Sequence, residues 1–155
     1  NLTGEYSVGA QLGYAGQFLN LYYDGEAKLG FEIDYTGGFD LSEDFYLGIN
    51  AAYQDNDGLG FYGVALYPQY ATSESFTLGL RGEYFQEMEA YGAIGTGVED
   101  SSVFAVTLTG SYTVENLIIK PEIRLDSASD DAFLDNDLDP TTSLASFLVA
   151  AIYSF

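Results

Sequence analysis

Apolar and polar residues alternate along nearly the whole chain with a period of two, the pattern of extended strands whose two faces meet different surroundings. No segment carries the 3.6-residue period of an amphipathic helix, and no run approaches the ~18 apolar residues of a membrane helix. The alternation predicts strands over Glu5–Ala15, Phe18–Asp24, Lys28–Leu41, Phe45–Gln54, Gly60–Tyr70, Phe76–Phe85, Val103–Val114, Leu117–Asp126 and Leu144–Phe155. The connectors between them are of two kinds. Ser42-Glu43-Asp44, Thr72-Ser73-Glu74-Ser75 and Glu115-Asn116 are tight, whereas Gln86–Ser102 and Ser127–Ser143 are long and acidic. Asp55-Asn56-Asp57-Gly58 is a short turn-former on the side of the long ones. From Leu41 onward the two kinds alternate, as they do in an outer-membrane barrel with short periplasmic turns and longer external loops.

Aromatic spacing sharpens this pattern. Within single strands, aromatics recur eight residues apart on one face: Tyr6/Tyr14, Phe45/Tyr53, Tyr62/Tyr70, Phe76/Tyr84, Phe104/Tyr112 and Phe147/Phe155. At ~3.3 Å per residue and a tilt near ~40°, eight residues climb about 20 Å, close to the ~25 Å apolar band between aromatic girdles. The intervening positions on that face are apolar, among them Leu47, Ile49, Ala51, Val64, Leu66, Val106 and Leu108. The opposite face carries Ser7, Gln11, Glu32, Asp34, Asn50, Thr77, Glu83, Thr107, Thr109, Ser111 and Glu122, and all four basic residues, Lys28, Arg81, Lys120 and Arg124, fall in its register. A lipid-facing Lys or Arg at mid-depth costs ~2–4 kcal/mol, so this parity is the expected one. Pro68 and Pro121 lie inside two of the strands, where local bulges are expected to accommodate them.

Composition narrows the function classes. The 155 residues suit one domain, and 16% aromatics with 18 Gly and 3 Pro favour an all-β chain. With 24 acidic against 4 basic residues, the net charge of −20 argues against nucleic acid, whose phosphates need Lys and Arg. Cys and His are both absent, which removes thiol chemistry, disulfides and the commonest general base. A Ser-His or Cys-His mechanism cannot be built, so no enzymatic activity and no catalytic residue are expected. Glu32 and Asp34 are more simply pore-lining than an acid–base pair.

Several stretches, taken in order, resemble the OmpL-like β-barrel porin family of Bacteroidota and related bacteria. They are FYLGINAAYQD (45–55), GFYGVALYPQYA (60–71), FTLGLRGEYF (76–85), TLTGSYTVENLIIKPEIRLDSASDD (107–131) and SFLVAAIYSF (146–155). The similarity spans roughly Tyr6 to Phe155. It implies an antiparallel transmembrane β-barrel in the outer membrane and brings no catalytic residues. The closing aromatic, Phe155, also resembles the signal read by the barrel assembly machinery. Family members usually carry further strands ahead of the equivalent of Tyr6. Two strand counts are therefore open. If Ala15–Ala27 is an external loop, residues 1–155 form one domain, an eight-stranded barrel. If Gly16-Gln17 is a tight turn, Phe18–Asp24 is a strand, and the nine strands are the C-terminal part of a barrel of about 10–12 that lacks its N-terminal strands. The family pattern favours the second.

The charges of the polar face are Lys28, Glu32, Asp34, Arg81, Glu83, Lys120, Glu122, Arg124 and Asp126. They could grade ions as a selectivity ring or brace the interior as a salt-bridge network. Five acids face four bases and buried charges must be paired, so bracing is the expected use. Asp135, Asp137 and Asp139 have the alternate spacing of a calcium loop. Pro140 stands where that loop needs Gly, however, and no Glu follows at its twelfth position. No cofactor is expected beyond Ca2+ held weakly on an external loop. The expected function is passive diffusion of small solutes or ions through a polar lumen. The alternative is a non-conducting accessory barrel whose acidic loops contact a partner, lipopolysaccharide or divalent cations. The expected partners are outer-membrane lipid and lipopolysaccharide, the assembly machinery during insertion and a larger outer-membrane complex. The C-terminus is expected in the periplasm and the acidic loops outside the cell.

Overall fold

Strong period-two patterning without a helix leaves backbone hydrogen bonds to be made between strands, and the computed structural model shows one sheet that does so. It describes residues 6–25 and 29–155. Nine long strands pair in chain order: β1 (Ser7–Tyr14), β2 (Gln17–Asp24), β3 (Gly30–Asp40), β4 (Phe45–Asn56), β5 (Leu59–Ser73), β6 (Phe76–Met88), β7 (Ser102–Val114), β8 (Leu117–Ala128) and β11 (Ser143–Tyr153). Two short strands, β9 (Phe133–Leu134) and β10 (Pro140–Thr141), form a small ladder of their own between β8 and β11. Every neighbouring pair of the main sheet is antiparallel, and β1 and β11 stand at its two ends.

Nine strands rather than eight are observed in the main sheet among the described residues. Phe18–Asp24 is not part of an external loop: as β2 it pairs along its whole length with β1, from Ser7↔Asp24 to Tyr14↔Gln17. The hairpin closes at Ala15 and Gly16, with φ of 48° and 78°. Positive φ at both central residues is the primed geometry that matches the twist of the flanking strands. Gly accepts it freely, and Ala15 adopts it at some steric cost. Asp57 (φ 56°) and Gly58 (φ 92°) close β4 and β5 in the same way, with the Gly58 N–H donating to Asp55 Oδ1 at 3.0 Å.

The prolines need no bulge. The register runs unbroken through Leu47↔Pro68 in β4–β5 and through Val149↔Pro121 in β8–β11. Towards the other neighbour each ladder skips a few pairs and resumes in step: Leu66↔Gly82 to Gln69↔Gly79, and Thr109↔Glu122 to Tyr112↔Ile119. A strand residue aims its N–H at only one neighbour, so proline costs one bond there and leaves the other side intact. The register shift in β5–β6 falls instead between Ala71 and Ser73, close to the turn.

This sheet has no hydrophobic core. Among the described residues the buried hydrophobics are Ala65 and Ala105, while the buried polar residues include Asp24, Gln54, Glu87, Ser101, Thr107 and Asp126. Large apolar side chains line the other face in the open, such as Val64, Leu66, Leu80, Leu108, Ile123 and Val149. In water so much exposed apolar area would drive collapse or aggregation, whereas in lipid it is the solvated surface. The aromatics of the eight-residue spacing lie on this outer face and meet across strands. Phe45↔Tyr70, Tyr53↔Tyr62, Phe76↔Tyr112 and Tyr84↔Phe104 are direct register partners, so the spacing within strands becomes two belts across them. Tyr62 and Tyr84 lie 6.3 Å apart between ring centroids, and each hydroxyl donates to Gln86 Oε1 at 2.6 Å. Tyr6, Tyr14, Phe147 and Phe155 are all exposed on the flanks of the sheet.

The two faces should answer one substitution differently. Ala151 points outward, midway between Phe147 and Phe155, whereas Ala52 points inward opposite Asp34. Ala151→Lys should lower the unfolding free energy in phospholipid vesicles by ~2–4 kcal/mol, and Ala52→Lys by less than about 1 kcal/mol, both read by urea titration. Equal losses would show that the two faces meet the same medium.

Candidate functional site

The inward face is continuous across the sheet, because register keeps like parities in line. On β1 to β4 it is built of amides, hydroxyls and carboxylates without a cation. Gln11 Nε2 donates to Asn20 Oδ1 at 2.7 Å, and Asn20 Nδ2 donates to Asp34 Oδ1 at 2.8 Å. Asp24, 3% exposed, accepts from Ser7 Oγ at 3.0 Å and from Tyr22 Oη at 3.2 Å. Asn50 Nδ2 donates to Thr36 Oγ1 at 2.9 Å. Glu32 lies in the same inward register, opposite Tyr22 and Gln54.

The described cations stand on β6 and β8. Arg81 pairs with Glu83 two residues along its own strand, and its guanidinium lies 5.6 Å from the centroid of the Tyr67 ring. Arg124 grips Asp126 in the same i, i+2 relation. Its Nη2 and Nε both donate to Asp126 Oδ1, at 2.7 and 2.9 Å, and Nε also lies 3.0 Å from Oδ2. Glu122 accepts from Thr109 Oγ1 at 2.8 Å. Lys120 makes no ion pair among the described residues. Ion pairing on this face thus runs along strands, because i and i+2 share a face at about 6.6 Å separation. Glu32 and Asp34 are not brought to the arginines: β3 and β6 are separated by β4 and β5. Lys28 lies outside the described residues.

The end with long connectors is partly covered. Strand β6 continues past Phe85, and its parity puts Glu87 on the inner face, 1% exposed. The Glu87 carboxylate accepts the Ile94 N–H at 2.6 Å, which draws the 89–101 connector back over the sheet. Tyr91 of that connector packs on Phe61 at 5.6 Å, and Phe61 stacks on Phe85 at 5.3 Å. Ser101, also 1% exposed, pins the far end: its Oγ donates to the Val98 carbonyl at 3.0 Å and to Asp130 Oδ2 at 3.2 Å. Sequence parity carried two residues beyond Phe85 would have shown Glu87 facing inward. The Tyr91 contact had no signal in the sequence, since loop paths follow from nonlocal contacts.

In the 129–142 connector, Asp135 Oδ1 accepts the N–H groups of Asp137 (2.8 Å) and Asp139 (3.0 Å). That is an Asx-type turn held by one carboxylate. Asp135, Asp137 and Asp139 are not gathered into a metal-holding group, and no such group of three occurs among the described residues.

An aromatic contact of this kind contributes about 0.5–1.5 kcal/mol. Tyr91→Ala should therefore speed cleavage by a glutamyl endopeptidase at Glu99 about 2- to 12-fold while the barrel stays folded. An unchanged rate would show that Tyr91 does not hold the connector.

A sheet polar inside, apolar outside and belted by aromatics has the surface of a membrane barrel. No curated protein matches the chain. The family model described as "Putative beta-barrel porin-2, OmpL-like" matches residues 2–155. The chain is thus a member of the OmpL-like β-barrel porin family, a family of the outer membrane.

Proposed function

We propose that the chain walls an outer-membrane pore through which small hydrophilic solutes diffuse passively. The observation that carries this is the inner face itself, which holds amides, hydroxyls and charged groups on β1 to β8, with Leu148 and Ala150 of β11 beside them, and is hollowed by an open recess of about 350 Å³ against β5 to β8 and β11. Lipid leaves no partner for the free edges of β1 and β11, so each must be paired. Nine is odd, and single-chain bacterial barrels have even counts, which favours pairing through additional strands. A wider barrel also suits an aqueous channel, because eight strands leave an interior just filled by side chains. The tight turns at 15–16, 41–44, 74–75 and 115–116, together with the C-terminus, are then periplasmic. The acidic 89–101 and 129–142 connectors are external, where they can meet lipopolysaccharide, divalent cations or another protein. No catalytic role is proposed.

The inturned 89–101 connector favours a second reading, a non-conducting accessory barrel, because Tyr91 and the Glu87–Ile94 bond narrow the outer mouth. Conductance separates the two. The full-length protein in planar bilayers should show discrete open steps, and deletion of Ala90–Val98 should raise their size about twofold or more. A folded barrel that never conducts, with or without this connector, would overturn the pore and favour the accessory role.

A further inference from the structure

The recess gathers most of the cations of an acidic chain onto one wall. In a protein with net charge −20, the recess against β5 to β8 and β11 is lined by Arg81, Lys120 and Arg124 and by a single acid, Glu122. These are three of the four cations in the whole sequence, the fourth being Lys28. Glu122 is already engaged by Thr109. The acids that pair with the arginines, Glu83 and Asp126, do not line the recess.

The geometry suits an oxyanion. Thr107 lies opposite Arg81 on one side and opposite Arg124 on the other, so the two arginines flank one position with their backbones two strand spacings apart, about 10 Å. Thr77 and Ser111 add hydroxyl donors to the same wall. Donor capacity is left over at Lys120, which has no ion pair among the described residues. Arginine's planar fork and lysine's point charge are the usual means of holding phosphate and carboxylate.

We infer that this recess is a subsite for small phosphate- or carboxylate-bearing solutes, through which the pore favours anions despite its acidic composition. The subsite deepens the pore reading and rests on it for transport, but binding alone does not require conduction. Solutes gather first at a surface with spare cationic donors, and the acids on β2 and β3 repel them toward it.

The test is calorimetric titration of inorganic phosphate into the full-length protein folded in detergent, at low ionic strength. Wild type should bind. Arg81→Gln combined with Lys120→Gln should weaken binding about tenfold or more, and Lys120→Arg should keep it. Glu32→Gln, elsewhere on the inner face, should not weaken it. Heat-modifiable gel migration verifies folding of each variant; if the double variant does not fold, Lys120→Gln alone is compared with Lys120→Arg. No phosphate binding by wild type, or equal binding by the glutamine variants, overturns the subsite. A salt-gradient reversal potential on the same samples should lie toward chloride and move toward potassium in the variants. A barrel that binds phosphate but never conducts refutes the pore and keeps the subsite, whereas one that conducts without binding does the reverse.

Discussion

Hydrocarbon offers no partner to a peptide N–H or C=O, and each such group left unpaired there costs several kcal/mol. That constraint organises everything else in this chain. The backbone must be satisfied sideways, from strand to strand, and the order β1 through β8 to β11 does so with neighbours that are consecutive among the long strands. A sheet bonded only sideways has both faces free, so side chains report the medium on each side. Here the outer face carries Leu66, Leu108 and Ile123 in the open, and the inner face buries Asp24, Thr107 and Asp126. Hydrophobic burial is supplied by lipid rather than by a core, which is why the buried apolar residues among those described are two alanines.

Register then turns local pattern into shape. A slip of one residue would send Arg81, Glu122 and Arg124 outward and Leu80 and Ile123 inward, so each ladder is fixed by the penalty on every other pairing. The aromatic belts add a second check, because Phe45↔Tyr70 and Tyr53↔Tyr62 can both form in only one register. The prolines fit for the same reason: Pro68 and Pro121 turn outward, and each sacrifices a bond toward one neighbour alone.

Much of this is legible in the sequence, and the reasons differ by feature. Strand parity is a local property, so the alternation alone places Lys120, Glu122, Arg124 and Asp126 on one face. The β1–β2 hairpin is ambiguous in sequence because its turn is Ala15-Gly16 rather than Asn-Gly. Only the φ of 48° at Ala15 shows a side chain accepting a conformation that glycine usually takes. The missing donor predicts bulges at the prolines, but which neighbour a given N–H addresses depends on pairing and is invisible in one strand. Charge balance predicts a bracing salt-bridge network but not which strands its pairs join. The described pairs run along single strands, because Glu83 and Asp126 lie within reach of their own strand's arginine. The fold of the end with long connectors is least legible, since Glu87, Tyr91 and Ser101 act through residues on other elements.

The central claim is that one parity of every strand meets lipid and the other meets water. Because the chain contains no cysteine, single cysteines can be introduced one at a time along β7 from Val103 to Tyr112 and spin-labelled in vesicles. Labels at Phe104, Val106 and Leu108 should relax with lipid-dissolved oxygen. Labels at Ala105, Thr107 and Thr109 should relax with a water-soluble nickel chelate, which gives a period of two with opposite phases. Labels that answer to the chelate at every position, or the two relaxants rising in phase, would contradict the account.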